Sequence, residues 1–176
     1  MGLPVRQKLL IQTERLALKP FSSQDIDRLV DIITNDEIGK TFMVPVFENK
    51  GQAVSLVKKL IMFSQPEDTK HLEYGIYLNE EIIGFINDCG IGDDNIEIGY
   101  VIHPKYQGHG YATEAVRAVL TELQRMGFQK VTAGFFEGNA ASCRVLEKCA
   151  MKKIGFTGEE EYRGKVHKCI YYEISF

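Results

Sequence analysis

Between Asn95 and Leu123 the hydrophobic period of the chain changes, and few folds accommodate that change. From Asn95 to Ile102 apolar residues alternate: Ile96, Ile98, Tyr100 and Ile102 share one face, and Glu97, Gly99, Val101 and His103 the other. From Ala112 onward the apolar positions are Ala112, Ala115, Val116, Val119, Leu120 and Leu123. That is the spacing of an amphipathic helix, and Gly127 is placed to stop it. A strand that runs through a glycine-bearing link into a helix must sit in a sheet and lay the helix across it.

The flanking segments fit a sheet of this kind. Leu9 to Leu18 reads as a first strand. Ser22, with Asp25 three residues on, resembles a capping box for a helix carrying Ile26, Leu29, Val30 and Ile33. A second helix is expected from Gly51 to about Phe63. Between the two helices, Asn35 to Lys50 has no clear period but contains Phe42, Met43, Val44 and Phe47; it either lines a substrate groove or covers the core. Strands follow at Glu73 to Leu78 and Glu81 to Asn87, joined at Asn79 and Glu80 closely enough for a hairpin, and then at Asn95 to Ile102. Lys130 to Phe136 is a further strand. Asn139 is placed to cap a helix with Val145, Leu146 and Cys149 as its stripe, Ser142 falling on the same stripe. Two last strands are expected near Met151 to Phe156 and His167 to Phe176, with Glu159 to Glu161 in the loop before the last. Consecutive hairpins followed by a strand–helix–strand unit imply a mixed sheet flanked by helices.

The link itself, Gln107-Gly108-His109-Gly110-Tyr111-Ala112-Thr113, carries the chemistry. A helix start offers unpaired N–H groups and partial positive charge, which suit a phosphate. Glycine lets main chain approach the anion without a Cβ in the way. The link has no Gly-Lys-Ser/Thr, so it is not a P-loop. Counted from Gly108, a dinucleotide-binding loop would need Gly or Ala where Thr113 stands. A bland alternative is that two glycines merely turn the chain into a helix.

Three segments together resemble one superfamily. Gln107-x-x-Gly110-x-Ala112 matches the Q/R-x-x-G-x-G/A signature of the GNAT acetyltransferases. Asn139-Ala140-Ala141-Ser142, with Val145-Leu146-Glu147-Lys148 after it, resembles the family's N-x-x-[AS]-x-x-[LV]-x-E-K segment. Thr13 to Pro20 is similar to the opening strand of the branch that contains ribosomal-protein N-terminal acetyltransferases. The resemblance covers nearly the whole chain. It implies an α+β (mixed α/β) fold: a mixed, mostly antiparallel sheet of about seven strands flanked by about four helices, splayed at two parallel strands. Those strands would be Ile96 to Ile102 and Lys130 to Phe136.

The resemblance also implies a cofactor, acetyl-CoA, and roles for particular residues. The pantetheine arm would pair with the backbone of Val101, Ile102 and His103. The pyrophosphate would lie on the N–H groups around Gln107, Gly108, His109, Gly110, Tyr111, Ala112 and Thr113. Asn139 would reach the cofactor and Ser142 would lie near its sulfur. Many members carry a Tyr one residue before the Glu-Lys pair; here that residue is Leu146, which makes Ser142 the candidate acid to the leaving thiolate. The usual Gly-Phe that follows is Ala150-Met151. The acceptor would be a primary amine, first a protein N-terminal amine and second a small-molecule amine or antibiotic. A non-catalytic acyl-CoA sensor on the same fold is the competing reading.

Acetyl transfer to an amine needs a neutral nucleophile, a polarised carbonyl and a protonated leaving group. Glu97 is the first candidate base, through water, and Glu161 the second; each has a plain reading as a surface carboxylate. The main-chain N–H near Ile102 is the candidate oxyanion donor. Cys143 and Cys149 raise a covalent route, but no His or Asp accompanies them in the motif. All four cysteines, Cys89, Cys143, Cys149 and Cys169, read as free, buried thiols, and no spacing fits a metal site. The formal charge of −3 argues against a general nucleic-acid binder. No apolar run approaches the length of a membrane span, and Met1 to Leu10 is too short in its apolar run for a signal peptide, so a cytoplasmic location is expected. Residues 1–176 are expected to form one domain, as monomer or homodimer.

Overall fold

A computed structural model describes residues 5, 6 and 8–176; the apolar run at Met1 to Leu10 falls partly outside them. Among these residues eight strands form one sheet in the order β1-β2-β3-β4-β5-β6-β8-β7, with five α-helices. The strands are β1 (Ile11–Gln12), β2 (Ala17–Lys19), β3 (Glu73–Leu78), β4 (Glu81–Ile91), β5 (Asn95–Ile102), β6 (Lys130–Phe136), β7 (Lys152–Tyr162) and β8 (Lys165–Ser175). The helices are α1 (Ile26–Thr34), α2 (Asp36–Gly39), α3 (Lys50–Ser64), α4 (Tyr111–Met126) and α5 (Ala140–Lys148). Every pairing is antiparallel except β5 with β6.

The expected single strand from Leu9 to Leu18 is in fact two. The Thr13 N–H and hydroxyl both bond the Leu16 carbonyl, turning the chain back so that β1 pairs with β2. The two last strands are longer than expected and form a hairpin that turns at Arg163 and Gly164, both in the left-handed region. The acids Glu159 to Glu161 therefore lie in β7, not in a loop. Other expectations were met closely. Asp25 accepts from the Ser22 N–H, Asn79 and Glu80 turn the β3–β4 hairpin with positive φ, and Gly127 ends α4 at φ +102°.

The sheet separates two apolar cores. On one side α4 and α5 pack Val116, Val119, Leu123 and Leu146 against Ile83, Ile96, Ile98 and Val131. On the other, α1, α2 and α3 pack Leu29, Ile33, Ile38 and Val57 against Ile82, Phe85 and Val101. Each core residue is near-fully buried, a burial that stabilises by about 1.5–3 kcal/mol per large aliphatic side chain. Gly84 allows β4 and β5 to lie close: a Cβ there would stand 2.1 Å from the Val101 carbonyl oxygen. No helix among the described residues is long and apolar enough to cross a membrane.

Candidate active site

The parallel pair is brief. β5 and β6 are in register only at Asn95–Lys130, Ile96–Val131 and Glu97–Thr132. Beyond that point β5 stays on β4 while β6 follows β8, so the two strands diverge. The opening is the mouth of a cleft of about 880 Å³ that passes through the sheet. Gly99, Tyr100, Val101 and Ile102 form one wall, Gly134, Phe135 and Phe136 the other.

At one end the cleft meets the start of α4. Gln107, Gly108, Gly110, Tyr111, Ala112 and Thr113 line it. Gly108 and Gly110 sit at φ +80° and +83°, a region that costs residues with a Cβ about 1–2 kcal/mol. The first helical bond is Glu114 N–H to the Gly110 carbonyl. The N–H groups from Gly108 to Thr113 find no acceptor among the described residues. These donors lack a side-chain cap, and a helix start in that state can accept an anion such as a diphosphate.

The middle of the cleft is set by the ladder. His103 N–H bonds the Ile83 carbonyl of β4. Alternation of peptide groups along a strand then turns the Ile102 N–H the other way, into the gap that β6 has left. The Ile102 carbonyl accepts from the Gln107 amide at 2.8 Å, which ties the link to the strand end. His103 itself is withdrawn. Its ring is 4% exposed, with Nε2 3.1 Å from Asp31 of α1 and Nδ1 accepting from the Lys105 N–H. Its carbonyl accepts from Tyr106 N–H. The expectation that His103 pairs with a cofactor is corrected: all its polar groups are committed, and it does not line the cleft. The His109 side chain also lies outside, stacked on Tyr111 and bonded to the Tyr106 carbonyl. Its main-chain N–H is left without an acceptor among the described residues.

On the α5 wall, the Asn139 carboxamide oxygen accepts from the Ser142 N–H, capping the helix, and both residues line the cleft. The Tyr100 hydroxyl donates to the Ser142 carbonyl at 3.3 Å; burial raises its pKa, and the Ser142 side chain opposes part of that rise. Tyr100 escaped sequence reasoning because its alternation assigned it to the core, with which it also packs. Leu146 is fully buried in that core and does not line the cleft.

At the other end are Glu97, Asn87, Cys89, Glu160, Thr41, Phe42 and Met43. The irregular segment after α1 thus lines the cleft with its first part, whereas Val44 is buried in the core. Burial, and then the like charge of Glu160, raise the Glu97 pKa above the ordinary carboxylate value. Glu161 does not line the cleft; it occupies the opposite face of β7 from Glu160. The second carboxylate beside Glu97 is therefore Glu160, a choice that strand parity decides. Asn87 Oδ1 is buried with no hydrogen-bond partner, an acceptor awaiting a donor. A Cβ on Gly99 would meet it at 3.0 Å and Cys89 Sγ at 3.1 Å, so Gly99 keeps this end open.

The thiols behave as thiols. Cys149 is buried, and burial lifts its pKa to about 11. Cys89 is exposed, contrary to expectation, yet its surroundings, Glu97 and Asp88 lift it to about 12. Cys143 is 3.2 Å from the Tyr172 hydroxyl and does not line the cleft.

A profile for the acetyltransferase (GNAT) domain matches residues 15–152. The chain belongs to the GNAT acetyltransferase family. It is 26% identical over 159 residues to the uncharacterized N-acetyltransferase YoaA of Bacillus subtilis, covering 88% of this chain and 89% of that protein. In fold it is similar to RimL, the ribosomal L7/L12 alpha-N-protein acetyltransferase solved with coenzyme A. That match has a TM-score of 0.79, 17% identity, and coverage of 95% of this chain and 98% of the other. It is similar also to the microcin C7 self-immunity acetyltransferase MccE, solved with acetyl-CoA and AMP, at TM-score 0.78 and 21% identity, covering 93% and 94%. The GNAT relationship makes this an acetyltransferase.

Proposed function

We propose that this acetyltransferase moves the acetyl group of acetyl-CoA directly onto a primary amine held in the same cleft, the leading acceptor being a protein N-terminal amine. The observation that carries the reading is a cleft open through the sheet, with unpaired amides at one end and a raised carboxylate at the other. When bound, acetyl-CoA supplies an acyl carbon activated as a thioester.

The chain's own groups do the rest. The N–H groups from Gly108 to Thr113 hold the diphosphate, and Asn139 and α5 close the side of the slot. The Ile102 N–H faces the gap and donates to the carbonyl oxygen as charge builds there; removing one such donor typically costs about 10²–10³ in rate. Glu97, with its raised pKa, takes the proton of the incoming ammonium through water. The Ser142 hydroxyl, placed beside Tyr100, returns a proton to the departing sulfur. The C–N bond forms as the C–S bond breaks, the second proton shed by the nitrogen replaces the one Ser142 gave to the sulfur, and no residue is acylated on the way; the raised thiols of Cys89 and Cys149 are poor nucleophiles.

The fold likeness to RimL and the Thr13 to Pro20 segment favour a protein N-terminus. The likeness to MccE, solved with AMP, favours a small amine as the second reading. Free-thiol release from acetyl-CoA against N-terminal peptides and small amines tests both. Turnover of peptides alone supports the first and turnover of small amines alone the second. Glu97→Gln is expected to lower kcat by about 10²–10⁴ while calorimetric coenzyme A affinity is kept; near-normal turnover would remove Glu97 from the mechanism.

A further inference from the structure

Glu114 stands in the first turn of α4, four residues past Gly110. A carboxylate in that turn satisfies the helix's positive end by itself and so competes with any bound anion. Here it is turned away from the free amides and fully engaged. Its Oε1 accepts from the Thr13 hydroxyl at 2.6 Å and from the Arg15 N–H at 2.8 Å, and its Oε2 accepts from Arg15 Nε at 2.7 Å. The same guanidinium reaches on to the link: Arg15 Nη1 donates to the His109 carbonyl at 2.9 Å. Its carbon lies 4.6 Å from the centre of the Tyr111 ring, and Nη2 is 3.4 Å from where a Cβ of Gly110 would be. Burial raises the Glu114 pKa, but bonds from Thr13 and from the Arg15 backbone and side chain outweigh this and leave it below its ordinary value, so the carboxylate is charged. One arginine therefore contacts the carboxylate, the carbonyl and the ring that surround the amides from Gly108 to Thr113.

We propose that Arg15 is a cofactor-positioning residue: it neutralises Glu114, holds that carboxylate off the start of α4, and fixes the His109 carbonyl outward so that the amides of the link stay free for a diphosphate. This rests on the acetyl-CoA reading given above. Without the Arg15 guanidinium the carboxylate keeps only the Thr13 hydroxyl and the main-chain N–H of residue 15, and its negative charge lies one turn from the bound phosphates with no cation beside it to hold Oε2 away from the same N–H groups. The turn between β1 and β2, which carries Thr13 and Arg15, thereby acquires a purpose beyond closing the sheet edge.

The test is calorimetric titration of coenzyme A into the full chain, the Arg15→Ala variant and the Arg15→Ala/Glu114→Ala double variant, with thermal melts on each. Affinity should fall about twofold to thirtyfold in Arg15→Ala, the range a charge at a helix start commands. It should recover most of that loss in the double variant, because the competing carboxylate is gone. With acetyl-CoA varied in the assay, the loss should fall in KM rather than in kcat, and Arg15→Lys should rescue only in part, since an ammonium cannot span both carboxylate and carbonyl. Unchanged affinity in Arg15→Ala, or a double variant as weak as the single one, would overturn the proposal while leaving the cofactor reading intact. Failure of the unaltered chain to bind coenzyme A would overturn both.

Discussion

Gly84→Ala tests whether the geometry of β5 is set from behind by its neighbour. Gly84 pairs with Ile102 across the β4–β5 ladder. An alanine Cβ there would lie 2.1 Å from the Val101 carbonyl oxygen and 3.1 Å from Ile102 Cα, where contacts under 3.0 Å are essentially never seen. Its nearest opponent is a backbone oxygen, which no side-chain rotation can move aside, and β5 must retreat by at least about 0.9 Å. Overpacking of this kind costs about 1–3 kcal/mol. For a chain of 176 residues that corresponds to a fall in Tm of about 2–12 °C, at about 2–4 °C per kcal/mol. The strand pushed back is the one that aims the Ile102 N–H into the gap, and misplacement by about 1 Å can cost about 10²-fold in rate. Circular-dichroism melts and thiol-release kinetics read the two effects. Gly90→Ala, in the same strand with open space around its Cβ, is the control and should leave both unchanged. A Gly84→Ala variant that melts and turns over like its parent would show that the close approach of β4 and β5 constrains nothing.

Two further outcomes follow from the carboxylates with raised pKa, Glu97 and Glu73. Glu160→Gln removes the like charge that, after burial, raises Glu97. The Glu97 pKa should fall, and the acidic limb of the kcat/KM profile should move to lower pH; a limb that stays put would mean that Glu97 and Glu160 are not coupled. Glu73 is 5% exposed with one oxygen unpartnered, and burial, followed by Asp88, raises its carboxyl well above the ordinary value against the opposing pull of Lys8. A raised folded pKa means that its contribution to stability is complete below the unfolded pKa and is lost as pH rises toward the folded one. Glu73→Gln mimics the protonated form, so its Tm relative to the parent should rise as pH climbs above the ordinary carboxylate range; a constant gap would show that Glu73 does not titrate in this way.

Local features were legible in the sequence where one short segment contains the whole cause. The period change at Asn95 to Leu123 specified β5 and α4 because alternation and helical spacing are properties of consecutive residues. The helix stop at Gly127 and the cap at Asn139 are likewise single-residue effects, as is the phosphate-type link, whose glycines adopt the positive φ that only they take readily. What needed the tertiary structure was everything fixed by a distant partner. The split of the first strand depends on Thr13 closing onto Leu16, and the placement of that turn on Glu114, about a hundred residues away in the chain. Glu160 enters the cleft and Glu161 does not because β7 pairs with β8 in one register, and a slip of one residue would exchange them. His103 is adjacent to the cleft in sequence, but its N–H is taken by β4 and its ring by Asp31 of α1. Sequence alone could say that a strand hands its chain to an anion-ready helix; which side chains share that space was settled only by the packing of strands whose residues lie far apart along the chain.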